Sequence, residues 1–398
     1  MNLRSFVSMG GSFTAFVPRR RRKLRPMTDP QKIARHLLRW YDRARRDLPW
    51  RKTRDPYAIW LSETMLQQTQ VATVVPYYHR FLERFPTVAF LAQAPMADVL
   101  SLWAGLGYYR RAKHLHLAAR EIVARHHGRV PETVEELLAL PGIGRYTAGA
   151  VASIAFDLPA PVVDGNVMRV LARVYGYERD IAVAKNHAFF WEKAAEMVRA
   201  APRSAGRAGS HRCGDFNQSL MELGATVCLP APALPACAAC PLRRFCRAFD
   251  ERRQMELPVK SAKKAPPTVR RKALVILRRH RGRVEVLLLE RPAGGLWEHM
   301  WEFPMLPADE HDVAAALGVT LHHVWPCGMV RHQLTHRTMV YEVIAAETRQ
   351  TPAVLPICEE GRRYVAARWV AWPLKSHGAL PMGKVVQKIM VVAQTFSS

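Results

Sequence analysis

The hydrophobic period of this chain changes once, across the stretch LPVKSAKKAPPTVRRK, Leu257 to Lys272. Before it, apolar residues recur at helical spacing. In IARHLLRWYDRA, Ile33, Leu37, Leu38 and Tyr41 share one face. YAIWLSETMLQ and TVEELLAL repeat the pattern, the second with Thr133 and Glu136 spaced as a capping box. After it, KALVILRR and VEVLLLE flank HRGR as the arms of a hairpin, MVYEVIAAE and RWVAW read as further strands, and VVQKIMVVAQ as a closing helix. The stretch itself is rich in Pro and Lys and has no period, the composition of a linker. A helical half and a strand-bearing half on either side of such a linker predict separate layers around separate cores. We therefore expect an all-α domain over residues 27–250, a linker over 251–271 and an α+β domain over 272–398, with no internal repeat.

Residues 1–26 carry the run RRRRK (Arg19 to Lys23), no acid and no helical period. They read as a basic, disordered extension: a dispensable arm, a targeting peptide, or the product of an upstream start codon preceding Met27. Over the whole chain, 59 Lys and Arg stand against 33 Asp and Glu, a net charge of +26. That balance favours a polyanionic partner. No apolar run reaches the ~18 residues of a membrane span, and no secretory leader is visible, so a cytoplasmic, reducing environment is expected. Four of the seven cysteines crowd into 19 residues as Cys228-x8-Cys237-x2-Cys240-x5-Cys246. In a reducing compartment such crowding points to metal ligation rather than disulfides. Four thiolates suit a 4Fe-4S cluster, with structural zinc as the rival.

Three stretches carry candidate chemistry. In LPGIGRYTAGA (Leu140 to Ala150), Gly142 and Gly144 permit positive φ, Pro141 stiffens the entry, and a helix starts near Tyr146 or Thr147. The free N–H groups of that helix would face the turn, where a phosphate can bind; a tight αα-corner is the plainer alternative. In VVDGNVMRVLAR, Asp164 precedes a helix and reads as its N-cap, and backbone N–H groups there would keep the carboxylate ionised. In WLSETMLQQTQV, Glu63 lies on a helix with Ile59, Trp60 and Leu66 around it and Gln67 one turn on. An acid against such a wall should have a raised pKa and could deliver a proton; the alternative is an exposed Glu on an amphipathic helix.

These stretches, with GLGYYRRAKHL (Gly105 to Leu115) and the four-cysteine cluster, occur in the order found in the endonuclease III superfamily. More narrowly the chain resembles the MutY-type adenine DNA glycosylases, densely over Arg35 to Ala248 and more loosely beyond. The resemblance implies an all-α helix-hairpin-helix glycosylase domain with a 4Fe-4S cluster loop, plus a C-terminal α+β nudix-like domain. It implies a monofunctional enzyme of base excision repair, a monomer near the nucleoid, acting on double-stranded DNA that carries A:8-oxoguanine or A:G mispairs. Glu63 would protonate the leaving adenine, and Asp164 would stabilise the cationic sugar. Tyr146 stands where bifunctional relatives have lysine; a phenol cannot form an imine, so strand cleavage should be absent or slight. Gln68, with Thr69 beside it, and Tyr108 would wedge into the duplex while adenine is flipped out. Trp50, Arg51 and Gln218 would line the adenine pocket. Gly142 and Gly144 would hold the DNA backbone, and Cys228, Cys237, Cys240 and Cys246 the cluster. The family's first cysteine spacing is usually shorter; here a Pro/Ala stretch lengthens that loop.

In the C-terminal half the paired glutamates of the nudix hydrolase box are not visible, so no nucleotide hydrolysis is expected. Leu334-Thr335-His336 stands where the family commonly has Phe-Ser-His, leaving Thr335 and His336 to read the lesion. Two rivals remain: an endonuclease III-like enzyme for damaged pyrimidines, which Tyr146 and the C-terminal domain disfavour, and a non-catalytic DNA-binding module, which has no use for a desolvated Glu63.

Overall fold

Asp-Pro pairs start the first two long helices. Asp29 accepts from the Gln31 N–H at 2.9 Å and caps Pro30–Ala44, and Asp55 accepts from the Tyr57 N–H at 3.1 Å and caps Pro56–Leu66. Proline at the first helical position has no N–H to leave unpaired. The computed structural model describes residues 29–202, 212–262, 265–358, 361–374 and 380–394. The basic extension expected over residues 1–26 lies outside them. Further helices include Val71–Arg84, Met96–Trp103, Arg110–His126, Arg145–Phe156, Gly165–Tyr175, His187–Arg199 and Cys213–Thr226. Thr133 does cap the helix Val134–Ala139, accepting from the Glu136 N–H at 3.2 Å, while its hydroxyl donates to the Glu136 carboxylate at 2.7 Å.

The helical half has two cores. One gathers Trp60, Phe81, Phe85, Trp103 and Leu115; the other gathers Ile33, Leu37, Val170, Phe190 and Phe216. The Pro56–Leu66 helix lies between them, with Trp60 in the first core, Ile59 in the second, and every residue from Tyr57 to Met65 buried. A helix that is apolar on all sides belongs inside a protein, and its single carboxylate, Glu63, goes in with it.

The C-terminal half is a seven-stranded mixed sheet: β1 (Thr268–His280), β2 (Arg283–Glu290), β3 (Trp301–Glu302), β4 (Met305–Pro307), β5 (His322–Gln333), β6 (Thr338–Glu347) and β7 (Ala366–Ala371). The order is β3-β2-β1-β6-β5, with β4 paired to β1 and β7 to β2; among these strand pairs the β1–β6 pair is parallel and the others antiparallel. The HRGR hairpin forms as expected, with Arg281 (φ 48°) and Gly282 (φ 74°) both left-handed, as the tight two-residue turn requires. In β1, Ala273, Val275 and Leu277 pack with Val386 and Ile389 of the Lys384–Gln394 helix, while Leu274 and Ile276 pack on the other face with Leu289 and Tyr364. Burial on both faces explains the unbroken apolar run. The strand begins at Thr268, inside the stretch read as linker. Upstream, Ile181 N–H donates to the Val259 carbonyl at 3.0 Å and Arg173 Nε to the Leu257 carbonyl at 2.9 Å, which ties residues 257–259 to the helical half. Among the described residues no helix is long and apolar enough to cross a membrane.

Candidate active site

Glu63 is 5% exposed. The Tyr146 hydroxyl donates to its Oε2 at 2.7 Å and lies 3.0 Å from Met221 Sδ. The amide of Gln67, which the sequence puts beside Glu63, donates instead to Thr147 Oγ1 at 3.2 Å. Burial pushes the Glu63 carboxyl up to about 7; the Tyr146 hydrogen bond opposes the rise, the charge of Asp164 adds to it, and Arg51 opposes it. The Tyr146 phenol is held well above its ordinary value by burial and by Glu63. Asp164 caps Gly165–Tyr175 as expected, accepting from the Val167 N–H at 2.7 Å and from Asn166 Nδ2 at 2.9 Å. Its pKa is nevertheless raised, not lowered: burial outweighs those hydrogen bonds. Glu63, Tyr146 and Asp164, spread over a hundred residues of sequence, thus act on one another electrostatically.

A third carboxylate is held by arginines. Glu222, 1% exposed, accepts from Arg46 Nε at 2.8 Å and Nη2 at 2.7 Å, and from Arg51 Nη2 at 2.8 Å. Burial would raise its carboxyl, but these hydrogen bonds prevail and hold it at about 2. Neither Glu222 nor Arg46 was singled out from sequence. Arg51 Nε is a buried donor without a partner among the described residues. Gln218 stands half-buried one turn before Glu222 on the same helix. Trp50 is sealed in the helical core, edge-on to Tyr78 at 5.5 Å.

Gly142 is left-handed (φ 75°), and a Cβ there would collide with His114. Gly144 is not left-handed: at φ −93° it is the N-cap of Arg145–Phe156, with no side chain capping the free N–H groups behind it. Both glycines are exposed, with Ile143 buried between them. Near this turn a cavity of about 1070 Å³ separates the two halves of the molecule. Gln68, Tyr108, Trp297, Thr335 and His336 line it. Thr335 and His336 are exposed at the tip of the β5–β6 hairpin, where Leu334 packs back on the sheet core. The Tyr108 and Thr335 hydroxyls are hydrogen-bonded at 3.1 Å, and Lys113 pairs with Glu298 at 2.8 Å across the same gap. Thr69 Oγ1 accepts from Arg111 at 3.1 Å.

Cys228, Cys237, Cys240 and Cys246 line one small cavity, and Arg173 Nη1 donates to Cys228 Sγ at 3.2 Å. No three metal-binding side chains among the described residues converge on a single ion position. A cationic guanidinium against one sulfur suits an anionic, thiolate-rich centre.

The family model for "HhH-GPD superfamily base excision DNA repair protein" matches residues 61–196, and one for "NUDIX domain" matches residues 273–391. The adenine DNA glycosylase of Rattus norvegicus is 38% identical over 408 residues, covering 87% of this chain and 75% of that one. The chain belongs to the adenine DNA glycosylase family. The Homo sapiens member is 37% identical over 379 residues, covering 79% of this chain and 67% of its own. Among solved structures, a thermostable thymine-DNA glycosylase aligns with a TM-score of 0.49 at 32% identity, over 56% of this chain and 97% of that one. The helical half is thus the HhH-GPD domain of an adenine DNA glycosylase, and the mixed sheet is its nudix-like domain. Both expected fold classes are met.

Proposed function

We propose that this chain removes adenine mispaired with 8-oxoguanine or guanine in double-stranded DNA, by hydrolysing the N-glycosidic bond as the first step of base excision repair. The observation that carries the reading is the buried Glu63, bonded to Tyr146 and pushed up to about 7 beside a second carboxylate. Near neutral pH Glu63 holds a proton for a ring nitrogen of the departing adenine. Asp164 supplies the fixed negative charge that a developing sugar cation needs, and water completes the hydrolysis. Arg51, with its open Nε donor, and Gln218 face the base, with Glu222 and Arg46 behind Arg51; Trp50, sealed in the helical core, contributes packing and not a contact to the base. Gln68 and Tyr108 enter the stack as the base leaves it. Gly142, Gly144 and the N–H groups behind them hold a phosphate. Thr335 and His336 read the base opposite.

Cys228, Cys237, Cys240 and Cys246 would hold a 4Fe-4S cluster, which when bound knits the loop that carries exposed Arg243, Arg244 and Arg247. The protein's own residues perform the chemistry. Purified protein is expected to contain iron and sulfide in equal amounts and no stoichiometric zinc. The test of function is single-turnover cleavage of duplexes carrying A:8-oxoguanine, A:G, A:T or thymine glycol, with and without alkali. Adenine should leave the two mispairs only, and the strand should break only after alkali. Excision of thymine glycol would point instead to a pyrimidine-damage enzyme.

The lone phenol at the helix start gives a sharper test. Tyr146→Lys is expected to acquire borohydride-trappable strand-cleaving activity, because an amine at this point can form an imine with the opened sugar. Wild-type protein should not be trapped. If Tyr146→Lys is not trapped either, residue 146 does not reach the sugar and its place in the mechanism is wrong.

A further inference from the structure

Arg111 is the second residue of the Arg110–His126 helix, yet its guanidinium points back at two loops. Among the described residues no carboxylate lies within ion-pair distance of it. Nη1 donates to the carbonyls of Thr64 (2.9 Å), Met65 (2.8 Å) and Gln67 (2.6 Å), and Nη2 donates to Thr69 Oγ1 and the Gly107 carbonyl, both at 3.1 Å. The rings of Trp103 and Tyr108 lie 5.4 and 5.3 Å from its centre. Thr64 and Met65 end the Glu63 helix, where carbonyls lack intrahelical partners and the helix dipole is negative. Backbone dipoles thus do the work of a counter-ion. Burial brings the guanidinium down to about 10, so it stays charged at neutral pH.

The two loops it joins have one property in common. Gln68 at the tip of one (φ 58°) and Tyr108 at the tip of the other (φ 51°) are both left-handed without being glycine. Such residues are uncommon, and the conformation persists only where the surroundings over-determine it. Both tips are exposed, and both line the cavity between the two halves. Gln67 and Thr69, on either side of Gln68, and Gly107, beside Tyr108, all bond to Arg111.

We propose that Arg111 is a positioning residue for base extrusion, clamping the Gln68 and Tyr108 turns into one preformed two-pronged wedge. The proposal rests on the reading that Gln68 and Tyr108 enter the base stack. With the prongs already ordered, duplex binding does not have to fix two loops as it unstacks the base. Arginine is required because its planar fork spans both loops at once, whereas a lysine ammonium is a single point that holds one or the other.

The test uses full-length wild type, Arg111→Met, Arg111→Lys, Gln68→Ala and Tyr108→Ala on two duplexes. One carries an A:G mispair in an otherwise paired duplex, with 2-aminopurine beside the adenine. In the other, further mismatches flank the A:G pair, so the stack is already loose. On the first duplex, Arg111→Met should slow the 2-aminopurine fluorescence rise and the excision together by about tenfold or more (roughly 1.4 kcal/mol). On the loosened duplex its excision should return to within about threefold of wild type, roughly 0.65 kcal/mol. Arg111→Lys keeps the charge and the stem, and should show the same pattern to a smaller degree even if Arg111→Met folds poorly. An equal loss on both duplexes would make Arg111 a merely structural residue and overturn the proposal. If Gln68→Ala and Tyr108→Ala lose unstacking while both Arg111 variants keep it, the wedge stands and the clamp is wrong. If Gln68→Ala and Tyr108→Ala unstack like wild type, the wedge reading falls and the clamp with it.

Discussion

Protein carrying Glu63→Gln is expected to keep its fold and its hold on a mispaired duplex, and to lose adenine excision by a factor of about 10²–10⁴, the usual worth of a positioned general acid. The amide fills the same space and can still accept from the Tyr146 hydroxyl, but it has no proton to give. In the wild type that proton is held by a carboxyl that burial, and then Asp164, push up to about 7. The excision rate should therefore fall as pH rises through about 7, and Glu63→Gln should lack that limb. Asp164→Asn should also lose most excision, but for a different reason. Removing the Asp164 charge lowers Glu63, so the residual activity should fall at a lower pH than in the wild type. Stability gives an independent check with its own sign. The folded-state value of Glu63 lies above its ordinary 4.5, so the folded state binds this proton more tightly than the unfolded chain. Ionised Glu63 then weakens the fold progressively as pH rises from about 4.5 to about 7. Glu63→Gln removes that penalty, and its thermal midpoint should exceed the wild-type value at pH 8 and differ little at pH 4. Excision within about tenfold of wild type, some 1.4 kcal/mol, would remove Glu63 from the acid's role.

What made Glu63 readable was local: one charge in a helix with apolar residues all round. The same pattern surrounds Glu222 in SLMELGAT. Nothing near it in sequence names its partners, since Arg46 and Arg51 are 176 and 171 residues away. Asp164 divides the same way. Its capping role follows from the turn residues after it, but the direction of its pKa depends on burial, which packing sets. Both glycines of the hairpin permit positive φ; Gly142 adopts it and also leaves no room for a Cβ beside His114, while Gly144 is extended and serves as an uncapped helix start. The strands of the C-terminal half were legible where both faces are buried, as in β1. β5 was missed because it lies at the sheet edge, its pairing with β6 shifts register twice, and it holds Pro326 and Gly328, so no alternation marks it. Separation in sequence hid the Tyr108–Thr335 bond as well, for it spans 227 residues and joins two independent cores.

Glu222→Ala should destabilise the helical half by about 3–5 kcal/mol, the cost of leaving a buried charge without its partner. Two guanidiniums converge on this carboxylate. The Arg46 side chain is 39% exposed and can turn to water, but that of Arg51 is only 10% exposed and cannot. The damage should therefore trace to Arg51. A double variant, Glu222→Leu with Arg51→Met, removes both buried charges and keeps apolar volume, and should recover most of the lost stability, as buried ion pairs replaced by packed hydrophobic residues do. On the proposed role of Arg51 and its open Nε donor in holding adenine, it should not recover activity. The pH dependence runs opposite to that of Glu63. With Glu222 held at about 2, below its ordinary 4.5, its contribution is complete above about pH 4.5 and is lost as pH falls towards 2. Urea midpoints at pH 7, followed by the helical circular dichroism signal, decide the matter. A loss below about 1 kcal/mol for Glu222→Ala would place the pair with surface bridges. Recovery of stability and excision together in the double variant would show that Arg51 serves only to neutralise Glu222 and takes no part in holding adenine.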